Sequence, residues 1–429
     1  MRFHSLLVTL VAAAAIVLPA CGEAEPVDEP CVSPNGACIE LTAEGDVQLK
    51  IQEALFDAVP GDVIYLKEGV YDLTSTLSLE GTENVTIRGQ GKDRTILSFK
   101  GQADGSAGIH VRANGISFEN FAVEDTQEGN DGIVVRGSTG VTFRGMRVEW
   151  TGGPDKGNGS YGLYPVQCTD VVIENSVVKA ASDAGIYVGQ SQNVIVRNNR
   201  AEYNVAGIEI ENTIGADVYG NVAVNNTGGI LIFSLPGLQI PTGYRTRVFD
   251  NDVSNNNTEN FAPSGIVGVV PAGTGIMILS VAEIEVFGNE VHGNNTANLA
   301  IASLLLEDED IANTDPDLDP YPEAIFIHGN HFSDGGQDPD RNALVAVLLG
   351  RIYPERVLPD IVWDGNRRPE HRENGFPDNR RICIQDNGGA TFVDLNMEAL
   401  NAAGEISYDL APHDCSLPPV APITIAGVD

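Results

Sequence analysis

Positive charge is what this sequence is short of: 25 Lys and Arg stand against 60 Asp and Glu, a net charge of −35. A chain this acidic repels phosphate backbones and anionic headgroups, which excludes nucleic acid as a partner and purely electrostatic attachment to lipid. A polyanionic substrate is disfavoured too, unless cations bridge the two. Aromatics make up only 6% of the chain, as expected if its core is narrow. No Cys-x-x-Cys or Cys-x-x-Cys-His occurs, so neither zinc nor covalently attached haem is indicated. The apolar run at residues 6–18 is too short to cross a bilayer. Helical spacing of apolar residues is missing from most of the chain, which excludes leucine-rich and helical repeats.

What is there is a repeated phrase. Gly185-Ile186-Tyr187-Val188 returns as Gly207-Ile208-Glu209-Ile210 and as Gly229-Ile230-Leu231-Ile232, each copy 22 residues after the last. Between copies sits a second apolar pair followed by Asn, as in Ile195-Val196-Arg197-Asn198 and Val218-Tyr219-Gly220-Asn221. A fixed period of this length marks a solenoid. Ile186 and Val188 alternate with Tyr187, so two β-branched residues point one way and the middle residue the other. Short strands repeating in one direction describe an all-β parallel β-helix, each coil hydrogen-bonded to the next.

The chain divides on composition. Residues 1–20 read as a secretory signal, with Leu18-Pro19-Ala20-Cys21 resembling a bacterial lipoprotein signal in which Cys21 carries the lipid. By that resemblance Gly22 permits export to the outer membrane, so the expected location is the cell envelope, anchored by acyl chains alone. Residues 21–44 are rich in Glu and Pro and read as a flexible tether. The β-helix is expected over 45–370, and a C-terminal cap and tail over 371–429. At its start, Val47, Ile51, Ala54, Leu55 and Ala58 fall at helical spacing behind Asp46, an N-capping helix that would cover the first coil. Cys31 with Cys38, and Cys383 with Cys415, are expected disulfides at the two ends, leaving Cys168 as a buried core residue.

Pro60-Gly61-Asp62-Val63-Ile64-Tyr65-Leu66, Gly69-Val70-Tyr71, Asn84-Val85-Thr86-Ile87-Arg88-Gly89 and Thr95-Ile96-Leu97 resemble the entry of right-handed β-helices of the pectin-lyase-like superfamily. The resemblance runs through the repeats to about residue 370. First strands start at Gly108, Gly132, Gly162, Gly185, Gly207, Gly229 and Gly275. A stacked corner asparagine is expected at Asn120, Asn175, Asn198, Asn221, Asn251, Asn289, Asn330 and Asn366, with Gly145 deviant. The pairs at Asn225, Asn256 and Asn294 mark a further corner. Where the period breaks, at 151–160, 234–243 and 302–323, loops leave the coil and function is expected to sit there. The 46 residues from Gly229 to Gly275 read as two coils' worth of chain.

The middle residue of each phrase faces outward, giving a stripe of His110, Val134, Tyr164, Tyr187, Glu209, Leu231 and Met277. Arg112, Arg136 and Glu211 stand beside it. The stripe is expected to be exposed. The superfamily resemblance implies action on uronate polysaccharides by elimination, hydrolysis or C5 epimerisation. Elimination needs a cation on the carboxylate, a base for the C5 proton and an acid for the leaving oxygen. Arg112, Arg136 or Lys156 are candidates for the first, Tyr164 or Tyr187 for base or acid, and His110 assists. A hydrolase would use paired carboxylates, Asp131 with Asp183 or Glu209, while Tyr161 with Arg112, Asp131 and Glu209 would bind sugar. The alternative is a non-catalytic surface for a glycan or an envelope protein, on a monomer. β-Helix proteins of similar repeat also assist assembly of copper enzymes, but no Met- or His-rich cluster occurs here. Calcium is the one cation to consider, at Asp315, Asp317 and Asp319, although the loop lacks EF-hand spacing. Ala411-Pro412-His413-Asp414 departs from the Asp-Pro-His-Asp of alginate epimerases, and no catalytic role is carried to it.

Overall fold

The computed structural model describes residues 31–306, 310–342, 357–397 and 405–428. The signal segment and Cys21 lie outside the described residues. Among those described, the strands build three parallel sheets of 12, 11 and 10 strands, and sheet neighbours are nearly always every third strand of the chain. That order is a parallel β-helix, in which each coil lends one strand to each sheet.

The repeat explains the stack. Ile186, Ile208, Ile230 and Ile276 stand in register in the 11-stranded sheet, and all four are fully buried in one core that runs the length of the coil. Each such side chain contributes about 2 kcal/mol of burial, and the next coil supplies the backbone partners that an open edge would lack. At the start, Asp46 accepts the N–H of Leu49 at 3.0 Å and opens the helix Val47–Asp57. Val47, Ile51, Ala54 and Leu55 turn inward and join the core.

Several expectations are corrected. The stretch read as tether contains the strand Cys38–Leu41, which pairs with Val63–Leu66 and is joined to Cys31 by a disulfide. The coil also continues past residue 370, through Ile382–Gln385 and Phe392–Asp394. Cys383 is bonded to Cys415, and Cys168 is free and buried, as expected. Gly229 and Gly275 belong to adjacent coils, because Gly228–Phe233 pairs directly with Thr274–Leu279. The extra residues leave that one coil as two insertions, 234–243 and 255–273, and a third spans 303–322.

The corner asparagines sort into two jobs. Asn120, Asn175 and Asn198 have φ of 59°, 53° and 56°, the left-handed turn that Gly145, Gly220 and Gly288 make in other coils. The residue after the turn points inward, and there the ladder forms: Asn199, Asn221, Asn251, Asn289, Asn330 and Asn387. Each amide nitrogen donates to the next residue's oxygen at 2.8–3.0 Å. Asn366 is outside it and bonds Asp364 instead. A second ladder joins Asn204, Asn226, Asn256, Asn294 and Asn298.

A buried carboxyl and tyrosine cluster on the outer face

The stripe lies in the register expected. His110 aligns with Val134 and Val134 with Tyr164; Tyr187 aligns with Glu209, Glu209 with Leu231, and Leu231 with Met277. The expected exposure is overturned. Tyr187, Glu209 and Leu231 are 4%, 1% and 0% exposed. Insertion residues form a second apolar layer over the sheet, in which Val267, Val270, Leu304, Ile311 and Leu318 gather with Tyr187, Leu231 and Phe233. Hydrophobic side chains on an outer face need such a cover.

Under and beside that layer the strand ends bring together three tyrosines and four carboxyls. The rings of Tyr161, Tyr164 and Tyr187 sit 4.5–4.9 Å apart. Tyr187 Oη donates to Glu211 Oε1 at 2.7 Å. Tyr161 donates its backbone N–H to Asp131 Oδ1 at 3.1 Å, and its phenol lies near enough to Asp183 to feel that carboxyl's charge. Glu209 lies close to Asp183 and Glu211, whose negative charges oppose its own ionisation. Asp183 Oδ1 and Glu209 Oε2 are buried atoms with no hydrogen-bond partner among the described residues.

Burial dominates the electrostatics. It pushes Asp131 up to about 7, and it raises Asp183, Glu209 and Glu211 above the usual carboxyl range. Asp183 and Glu211 then raise Glu209 further, since like charges at close range cannot all ionise. The phenols of Tyr161 and Tyr187 are raised, first by burial and then by these carboxyls. Tyr187 therefore stays protonated and serves as a donor; the expectation that it acts as a base is withdrawn. Burial raises Tyr164, and the nearby positive charge of Arg136 works against that rise.

The remaining candidates are spread out. Burial, then Arg112 and Arg136, lowers His110, which keeps it neutral; it stands two coils from Tyr164, about 10 Å along the axis. No carboxylate among the described residues pairs with Arg112 or Arg136. Lys156 is exposed in the 151–160 loop. Asp315 Oδ2 accepts Gly237 N at 2.6 Å, and Asp319 is paired with Arg368. Among the described residues no group of three His, Cys, Asp or Glu converges on a metal position; of the three carboxylates considered for calcium, Asp315 and Asp319 are bonded to other parts of the fold. His413 is buried against Trp363 and Phe392, bonded to Ile382 O at 2.9 Å. Sequence reasoning placed Glu211 beside the stripe without giving it a role. It had no signal at all for Val267 and Val270, which lie outside the repeat.

Comparisons with known proteins agree on architecture. A family model described as "Right handed beta helix region" matches residues 107–304, a little under half of the chain. Pectate lyase L of Paenibacillus polymyxa (strain SC2) is 30% identical over 113 residues, and this match spans 25% of the length of that curated relative and 25% of this chain. Among solved structures, DFA-IIIase from Arthrobacter chlorophenolicus A6, without its lid and in complex with GF2, superposes with a TM-score of 0.50 at 14% identity. That alignment covers 69% of this chain and 81% of the other. The A-module of the mannuronan C-5 epimerase AlgE4 of Azotobacter vinelandii gives 0.47 at 15% identity over 80% and 89%. At such identities the likeness is one of fold.

Proposed function

We propose that this chain, a right-handed parallel β-helix of the pectin-lyase-like type, cleaves a glycan with its buried carboxyl cluster as acid and base. The observation that carries the reading is the pair Asp183, half-buried, and Glu209, fully buried, each with one buried oxygen that no group among the described residues satisfies. Leaving such atoms unpaired costs about 1–3 kcal/mol apiece, a cost sites tolerate where a ligand supplies the partner. With raised pKa values, one carboxyl holds a proton while a neighbour is ionised, the division of labour that glycosidic cleavage requires. Glu209, the more deeply buried, delivers its proton to the glycosidic oxygen as the C–O bond breaks. Asp183 takes a proton from the water that adds to the sugar carbon. Tyr187 holds Glu211 in place, and the partly exposed rings of Tyr161 and Tyr164 offer apolar faces to the sugar. The quarter-length likeness to a pectate lyase supports a carbohydrate substrate.

A second reading rests on Arg136. Its charge beside Tyr164, with Arg112 one coil away, suits a uronate whose carboxylate the arginines neutralise while Tyr164 removes the C5 proton. Incubation with polygalacturonate, alginate, xylan and fructan separates the two. New reducing ends without an ultraviolet-absorbing unsaturated product, lost in Asp183→Asn and Glu209→Gln, are expected. An unsaturated product that survives both changes but not Tyr164→Phe would replace the first reading with the second. No product from any glycan would sink both. The lipid anchor at Cys21 and the cell-envelope location belong to this proposal, on the support of the sequence alone.

A further inference from the structure

One outer row of the 12-stranded sheet changes character along the coil. Thr86, Ser117 and Thr142 stand in register and are partly exposed, as small polar residues on an outer face can be. The next two coils place Val172 and Ile195 in the same row, and both are buried, at 2% and 6% exposure. After them come Asp217 and, two coils further, Glu285, each an acidic side chain buried on the outside of the coil. What covers the row is the chain's own C-terminal segment. It leaves Cys415, bonded to Cys383 in that row, and runs back toward earlier coils. Val420 donates its N–H to Glu285 Oε2 at 2.9 Å, and Ile423 donates to Asp217 Oδ2 at 3.0 Å. Gly215 leaves room for Ile423, since an added Cβ would meet Ile423 Cδ1 at 2.9 Å. Ile425 then closes over Val172 and Ile195.

Segment and coil share a period. Pro418, Pro419 and Pro422 fix their own φ and bias the residues before them to extended backbone, which predisposes the segment to polyproline II. Three residues of that helix rise about 9.3 Å, and two coils rise about 9.6 Å. Residues 420 and 423 therefore meet acidic side chains two coils apart. The whole path agrees: the stack from Cys383 to Val172 measures about 29 Å, and the chain from Cys415 to Ile425 reaches about 31 Å. We infer that this outer face is a docking groove for an extended, polyproline-type segment, filled in cis by residues 417–428, and that the docked segment clamps the coils it crosses. Recognition is through backbone N–H groups and one apolar side chain per turn. The strands that carry Val172, Ile195 and Asp217 follow directly on Tyr161–Val166, Ala184–Gly189 and Ala206–Glu211 in the chain. A clamp on one sheet thus ties together the coils that hold the tyrosine and carboxyl cluster on another. It holds whether or not the cluster cleaves a glycan.

The test uses the full chain. Val420→Pro together with Ile423→Pro deletes both donors and keeps a backbone that proline favours. Native-state hydrogen exchange should then show protection of Ala184–Gly189 and Ala206–Glu211 reduced at least tenfold. Thr86–Gly89 and Asp104–Arg112, beyond the coils crossed, should keep theirs. Unchanged protection in the crossed coils, or an equal loss in both sets, would overturn the clamp. A second form carries a protease recognition sequence after Ser416 and is cut only once folded. Labelled peptide of residues 417–428, in excess, should exchange into the cut chain and leave the intact chain unlabelled. A cut chain that takes up no peptide, or an intact chain that takes up as much, would overturn the groove. Intact copies that elute at twice the mass of one chain, and separate on cutting, would give the groove to a second copy's segment and overturn its filling in cis.

Discussion

The hydroxyl of Tyr187 and the carboxyl of Glu211, 24 residues apart in sequence and one coil apart in space, meet at 2.7 Å inside the outer layer. Burial, with Glu211 and Glu209 beside it, holds the phenol well above its ordinary range, so in this pair Tyr187 gives the hydrogen bond. Tyr187→Phe keeps the ring contacts with Tyr161 and Tyr164 but leaves Glu211 Oε1 without its donor. The change should destabilise the fold by about 1–3 kcal/mol. Urea midpoints at pH 7 check this, and an unchanged midpoint would show that the bond is not made in solution.

Stability should fall as pH rises through neutrality. Asp131 titrates near 3.8 when unfolded and is pushed up to about 7 in the fold, chiefly by burial. A raised carboxyl favours the protonated form in the native state. Its contribution is therefore full below about pH 4 and is lost as pH climbs to about 7. Asp183, Glu209 and Glu211 act in the same direction. Asp131→Asn should flatten the slope of stability between those limits and leave the variant more stable at pH 8, by about 2 kcal/mol. Calorimetric scans across pH decide it. A slope that is identical in wild type and variant would remove Asp131 from the account.

Two adjacent asparagines should respond in opposite ways. Asn198 occupies a left-handed corner at φ 56°, where glycine stands in other coils, so Asn198→Gly should cost no more than a few tenths of a kcal/mol. Asn199 accepts from Ser176 N and donates to Ile173 O and Asn221 Oδ1 inside the coil. Asn199→Ala should cost about 3 kcal/mol, because several buried partners lose their bonds together. Equal urea midpoints for the two variants would contradict the division of corner and ladder.

Removing a carboxyl of the unpartnered pair should separate activity from folding. Glu209→Gln and Asp183→Asn are each expected to lower kcat at least 100-fold, the lower bound of acid–base catalysis. Both should fold and be no less stable than wild type at pH 8, since an amide keeps the side chain's size and never carries the charge that burial penalises. Activity on the glycan panel and thermal midpoints, measured on the same preparations, check both halves. Full turnover in either variant would exclude that residue as acid or base.

Much of this molecule is written in one dimension. A period of 22 residues, β-branched residues two apart and Asn or Gly at each corner suffice for a parallel β-helix, because every coil repeats one local problem and meets the same neighbours. The stripe from His110 to Met277 follows from alternation alone, and so does its register. The exact rung of the asparagine ladder does not. Asn198 and Asn199 are the same residue type, and only the corner's backbone decides which one turns inward. The burial of Tyr187 and Glu209 was likewise invisible. Val267 and Val270 belong to an insertion with no period, and hydrophobic residues in a loop carry no address until the coil beneath offers them a face. The sequence by itself determined the coil and the order of side chains along it. The tertiary structure alone decided which of those side chains lost their water, and with it which carboxyls keep a proton.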